Sequence, residues 1–186
     1  MKKIFLILSF ISSQVLLSCG DDYKKRRDDE LVKFNKNISQ EQQELITNFY
    51  NGTIKVEKKT RDIEGGVYCL WKEKNKGYIP HLTLNHLLLK DGYQITSNKD
   101  SLNYIIITET VSHIVGRYSN GATAAQIETV ISALDLKRNS AFIIRKEMGS
   151  LPPETIYVKN GSDRGSIGSF WGDDDIFEFL KSEILK

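Results

Sequence analysis

Apolar positions recur along this chain in two rhythms, one of helices and one of strands, and their order predicts a mixed fold. Residues 31–50 read as helical: Ser39 and Gln42 have capping-box spacing, and Leu45, Ile46 and Phe49 then line one face. Asn51-Gly52 is the expected stop. Ile54 and Val56 alternate with charged residues, as in a half-exposed strand. Gly65-Gly66 marks a turn before the apolar strand Val67–Trp71, and the β-branched run Tyr104–Ile107 reads as a buried strand. Between them, Leu82 and Leu84 alternate but Leu87, Leu88 and Leu89 do not. Asp91-Gly92 either turns a hairpin into Tyr93–Thr96 or ends a short helix begun near Thr83.

Thr108–Tyr118 carries both rhythms. Val111, Ile114, Val115 and Tyr118 have helical spacing, yet three of the four are β-branched; the periodicity favours a helix. The clearest helical pattern follows, with Thr123 and Gln126 as a capping box and Ile127, Val130, Ile131 and Leu134 on one face. Lys137-Arg138 suits its C-terminal end. Ala141–Arg145 and Thr155–Lys159 read as strands, separated by Gly149-Ser150-Leu151-Pro152-Pro153. Asp173 or Asp174 caps a last helix whose apolar face is Ile176, Phe177, Leu180 and Ile184. No solenoid-length repeat is present. The pattern predicts one α+β domain: a mainly antiparallel sheet packed with about three or four helices.

One apolar run stands outside this scheme. Ile4–Leu17 follows Lys2 and Lys3 and ends in Leu16-Leu17-Ser18-Cys19-Gly20. A membrane-spanning helix needs about 20 apolar residues. This run is shorter, is interrupted by Ser9, Ser12, Ser13 and Gln14, and is followed at once by Asp21 and Asp22. A basic start, a short apolar centre and a small residue before the cut are the parts of an export signal. The segment resembles the signal peptide and lipobox of bacterial lipoproteins. The resemblance implies that residues 1–18 are removed and that Cys19 becomes the lipid-bearing first residue. A charged tether over 19–30 would then lead into a globular domain over 31–186. It implies a lipid-anchored protein of the cell envelope, since two or more acyl chains hold stably where one does not. Gly20, where an inner-membrane retention signal has Asp, favours the periplasmic face of the outer membrane. Asp21-Asp22 is similar to a surface-export signal of other bacteria.

Charge changes with that reading. The chain's 26 basic side chains become 24 once Lys2 and Lys3 are removed, equal to its 24 acidic ones. A balanced domain lacks the basic face that nucleic acid requires. The cluster Lys24-Lys25-Arg26-Arg27 is offset by Asp21, Asp22, Asp28, Asp29 and Glu30, which suits a solvated stretch. The chain has two cysteines. With Cys19 lipidated, Cys69 has no intramolecular partner, and its place in an apolar strand makes it a core residue.

Motifs for chemistry are sparse. His81 and His86 lie five apart instead of the four of a helical metal pair, so no metal and no cofactor is expected. Ser112 and His113 are neighbours in sequence, which is not how a catalytic pair is recognised. Gly165-Ser166-Ile167-Gly168-Ser169 lacks nucleophile-elbow spacing. Asp173-Asp174-Asp175 fits a helix start better than a calcium loop. The loop Asn160–Gly172 is rich in Gly and Ser and carries Arg164, Phe170 and Trp171, residue types that anchor interfaces. These features lead to the expectation of a non-enzymatic envelope lipoprotein that binds a protein partner, of immunity, exclusion or assembly type. A structural envelope lipoprotein is the alternative, followed by an envelope hydrolase using His113 or a carboxylate.

Overall fold

The computed structural model describes residues 21–54, 56–57, 61–73, 77–155 and 165–186. Residues 21–37 contain no Gly or Pro and are helical, the described part of helix α1. The charged stretch expected as a tether is therefore helical, and it continues without a break into the part that packs. Its inward residues are Leu31 and Phe34, followed by Ile38 just past its end. The single helix expected over 31–50 is two helices. The break falls at Ser39, whose extended backbone (φ −74°, ψ 163°) and side chain cap α2, Gln40–Tyr50. The expected capping box is present there. Gln42 N–H donates to Ser39 Oγ at 3.2 Å, and Ser39 N–H donates to Gln42 Oε1 at 2.9 Å.

Among the described residues the sheet has seven strands: β1 Val56–Glu57, β2 Gly66–Glu73, β3 Gly77–Pro80, β4 Leu102–Arg117, β5 Thr123–Asp135, β6 Ser140–Met148 and β7 Ser166–Ile167. The order is β1-β6-β5-β4-β2-β3, with β7 beside β5. The long ladders β4–β5 and β5–β6 are antiparallel, and β2–β4 is parallel. A parallel pair needs a crossover, here supplied by β3 and helix α3, Leu82–Lys90. Of the two readings for this region, the short helix holds. Asp91 and Gly92 end it, and beyond it Ile95 makes a single bridge to Val67. Helix α4 is Asp173–Glu183. This is the single-domain α+β architecture that the pattern predicts.

Two expected helices are strands. Thr108–Tyr118 lies in or just past β4, and Thr123–Leu134 lies in β5; the two strands pair with each other from Tyr104↔Asp135 to Arg117↔Thr123. Helical spacing misled for a physical reason. In β5, Ile127, Thr129, Ile131 and Ala133 alternate toward one side, while Ser132 and Leu134 are buried on the other. A strand covered on both faces has apolar residues at irregular intervals, and 127, 130, 131 and 134 then imitate a helix face. In β4 the helical quartet is not a buried face at all: Ile114 is 67% exposed.

The sheet is covered on both sides. Val67, Cys69, Ile106, Ile131 and Phe142 face α3 and α4, where Leu84, Leu88, Ile176 and Leu180 meet them. Tyr68, Leu70, Ile105, Ile107 and Leu134 face Phe34, Ile38, Leu45 and Ile46 of the α1–α2 side. Buried Asn85 ties α3 to β2. Its Oδ1 accepts from Cys69 N–H at 2.8 Å, and its Nδ2 donates to Cys69 O at 3.0 Å.

Candidate functional site

The inward faces of α1 and α2 do not close against each other. Leu31, Phe34 and Ile38 form one wall, Ile46 and Tyr50 the other, and Leu70 and Tyr78 lie beneath them on β2 and β3. The space between is a cleft of about 590 Å³, within the 300–1,000 Å³ range of ligand sites. The Phe34 ring stacks on Tyr68 with centroids 4.7 Å apart, which sets the inner end. Tyr50 and Tyr78 meet edge-on at 5.4 Å near the mouth. Lys72 Nζ lies 5.6 Å from the Tyr50 ring centroid and donates to Glu109 Oε2 at 2.9 Å.

Among the described residues no charged side chain lines this cleft. Its polar groups are the amides of Asn35 and Gln43 and the hydroxyls of Thr47, Tyr50 and Tyr78. The Tyr78 hydroxyl is buried and makes no hydrogen bond among the described residues. Burial raises its pKa, with Glu109 adding to the effect, so the phenol stays protonated and available as a donor. Such a cleft suits a neutral, apolar group that carries a hydrogen-bond acceptor.

A second pocket, of about 330 Å³, lies along the β3 edge. His81 caps α3 there and is 5% exposed. Its Nδ1 accepts from Leu84 N–H at 3.5 Å, which leaves the proton on Nε2. Nε2 lies 3.4 Å from Asp173 Oδ1 at the start of α4, outside hydrogen-bonding alignment. Burial lowers the His81 pKa, and Asp173 only partly offsets this. The Trp71 and His81 rings are 5.2 Å apart.

The residues singled out from sequence are scattered. Cys19 and Arg164 lie outside the described residues, as do residues 156–159 of the expected strand Thr155–Lys159. Trp171 packs back onto the core, its ring 5.4 Å from Phe179 and under the Arg145 guanidinium at 5.8 Å. Phe170 beside it is 41% exposed. The Gly/Ser loop, flexible by composition, is pinned from residue 165 onward. Gly168 N–H donates to Ala125 O at 3.1 Å, and Ser150 N–H donates to Ser169 O at 2.8 Å. A Cβ on Gly168 would lie 1.7 Å from Ser150 O. Glycine is there because two backbones touch.

Ser112 and His113 project to opposite faces of β4, as neighbours in a strand must. His113 Nε2 instead meets Glu128 Oε2 of β5 at 3.0 Å. His86 is exposed on α3, away from buried His81. No cluster of three metal-ligating side chains occurs among the described residues. Cys69 is fully buried, and burial pushes its pKa far up, so it stays a thiol. Helix α4 is capped by Gly172 instead of Asp173 or Asp174. Asp175 Oδ2 accepts from Gly172 N–H at 2.9 Å, and this frees Asp173 to face His81.

Sequence reasoning missed the cleft. The signal was available in Leu31, Phe34 and Ile38 at i, i+3 and i+7, but nothing local placed Tyr78 beneath them. No protein-family model matches the chain, and a search among curated proteins returns no relative.

Proposed function

We propose that this protein is a lipid-anchored, non-enzymatic binding protein of the bacterial cell envelope that grips an apolar segment of a protein partner in the cleft between α1 and α2. The observation that carries the reading is the cleft itself. Among the described residues no charge lines it, Leu70 and Tyr78 lie beneath it, and amides and hydroxyls edge it. Grooves of this kind between helices receive the apolar face of a partner helix or strand. Its position favours a protein over an acyl chain. Cys19 is the proposed lipid site, and the described part of α1 starts at residue 21. At 1.5 Å per residue, Leu31 stands about 15 Å along the helix from residue 21. In this reading the charged turns over 21–30 separate the anchor from the cleft along the chain, which supports a binding surface clear of the acyl layer. No described helix is long and apolar enough to cross a membrane. Attachment in this reading rests on the lipid of Cys19.

Two experiments test the two halves. Metabolic labelling with an alkynyl fatty acid should mark the wild-type chain in the membrane fraction, and Cys19→Ser should abolish both label and membrane retention. A Cys19→Ser chain that is still processed and retained refutes the anchor. For the cleft, a photocrosslinker at exposed Thr47 should yield one adduct of defined mass in cells. A crosslinker at Glu178, on the far side of the sheet, should not. Ile46→Trp fills the cleft and should abolish the Thr47 adduct while the protein still unfolds cooperatively. An adduct indifferent to Ile46→Trp, or equal from both positions, overturns the binding role.

A further inference from the structure

The apolar shape of the α1–α2 cleft does not account for the hydroxyl of Tyr78. That oxygen is buried and makes no hydrogen bond among the described residues. Glu109 and Tyr50 stand close enough to raise its pKa, yet neither accepts its proton in a hydrogen bond. Glu109 is engaged by Lys72, whose Nζ donates to Oε2 at 2.9 Å. A buried donor left unpaired costs free energy, and phenylalanine would supply the same ring without that cost. The hydroxyl is therefore explained by what it meets when the cleft is filled.

The surroundings define that acceptor. Among the described residues no charged side chain lines the cleft. A carboxylate or phosphate would lose its water there without gaining a counter-ion, which costs more than one hydrogen bond returns. The acceptor is therefore neutral, such as a carbonyl, amide or hydroxyl oxygen. It is carried on an apolar body, because Leu31, Phe34, Ile38, Ile46 and Leu70 supply much of the wall. Tyr50 controls access. It is the last residue of α2, is 39% exposed, and its ring meets Tyr78 edge-on at 5.4 Å. No helical turn beyond it holds the ring in place. We propose that the Tyr78 hydroxyl sets the specificity of the α1–α2 cleft by donating one hydrogen bond to a neutral acceptor on the apolar segment bound there, and that the Tyr50 ring turns aside to admit it. This role rests on the binding function proposed above and narrows it: an apolar segment without a free acceptor binds less tightly.

The test is an NMR titration of the full chain in lipid nanodiscs, followed at the Ile46 methyl groups and the Tyr50 ring. Three probes are used. Methyl isobutyl ketone joins a leucine-like group to a neutral carbonyl. Isohexane has the same carbon skeleton and no acceptor, and isocaproate carries a charged acceptor. The ketone should bind, shift the Tyr50 ring signals and bind more tightly than isocaproate. Tyr78→Phe should weaken the ketone by roughly fivefold, the worth of one neutral hydrogen bond, and leave isohexane unchanged. Its urea midpoint should equal or exceed that of the wild type, because no bond within the protein is lost. The proposal is overturned by a ketone that does not bind or leaves Tyr50 unmoved, by equal effects of Tyr78→Phe on ketone and isohexane, or by tighter binding of isocaproate. A lowered urea midpoint overturns it too, since the hydroxyl would then serve the fold through Glu109. The Thr47 adduct separates this role from the function beneath it. If Ile46→Trp abolishes the adduct and Tyr78→Phe leaves its yield unchanged, the binding function stands and the part of the hydroxyl falls. If Ile46→Trp leaves the adduct in place, the binding function falls and this role with it.

Discussion

On one face of the sheet, α3 and α4 lie close over Val67, Cys69, Ile106 and Phe142, and Leu84, Leu88 and Leu180 have no exposure at all. On the other, α1 and α2 stand over Tyr68, Leu70 and Ile107 and leave a cleft of about 590 Å³. The same strands serve both faces with alternate residues, so the difference lies in the helices. α3 is drawn down by the two bonds from Asn85 to the Cys69 backbone, and α4 by the C-terminal residues Ile184 and Leu185. α1 and α2 are hinged at Ile38–Ser39 and carry Asn35, Gln43 and Thr47 toward each other, groups that gain nothing by closing on apolar surface. One face spends its apolar area on stability. The other keeps part of it open.

The sharpest way to break this distinction is to cut equally into both faces. Ile106→Ala, fully buried on the closed face, should lose about 3–5 kcal/mol, because the cavity it leaves is surrounded by rigid packing. Ile46→Ala should lose no more than about 2 kcal/mol, since it only widens a space that solvent already reaches. Urea unfolding of both variants measures this, and equal losses would erase the contrast between faces. Gly168→Ala comes next. The added Cβ meets Ser150 O at 1.7 Å and must push β7 from β5, releasing the segment that seats Trp171. A loss of about 1–3 kcal/mol is expected, with faster hydrogen exchange at the Ser150 and Gly168 amides.

A smaller, pH-dependent effect reports on the edge of the closed face. His81 is a base held neutral by burial, with Asp173, Glu73 and Arg27 nearby. Its folded pKa is below its ordinary 6.5, so below that pH the unfolded chain binds more protons than the folded one. Stability from this group is therefore complete above about pH 6.5 and lost as the pH falls toward the folded value. His81→Asn keeps a capping side chain, and its urea midpoint should fall less between about pH 7 and pH 5 than that of the wild type. A parallel fall would show that His81 is not responsible. The smallest effect is expected at Ile114, 67% exposed on the outer part of β4. Ile114→Ser should change stability by no more than about 0.5 kcal/mol. A large loss there would mean that this end of the β4–β5 ribbon is covered after all.

Legibility followed the range of the interactions involved. The Ser39–Gln42 box, the Asn51-Gly52 stop, the strands at Val67–Trp71, Tyr104–Ile107 and Ala141–Arg145, and the final helix are set by neighbours within a few residues, and all were readable. The strand identity of β5 was not, because its apolar spacing reflects helices on both sides of the sheet, supplied from residues far away in sequence. The Gly/Ser loop misled similarly. Its glycines look like freedom when read locally, but at Gly168 they permit contact with Ser150. Of the residues expected at an interface, Trp171 is engaged with Phe179 and Arg145, whereas the cleft residues Tyr50 and Tyr78 had no local mark.

By itself, then, the sequence determined the local elements whose caps, turns and uniform apolar runs are complete within one stretch of chain, along with the α+β class that their mixture implies. Only the tertiary structure decided that β4 and β5 form one long ladder, that the α1–α2 cleft stays open, and that Arg27, Trp71, His81 and Asp173 share a pocket. Those outcomes depend on burial and pairing between segments tens of residues apart, and a residue's own neighbours do not encode what will cover it.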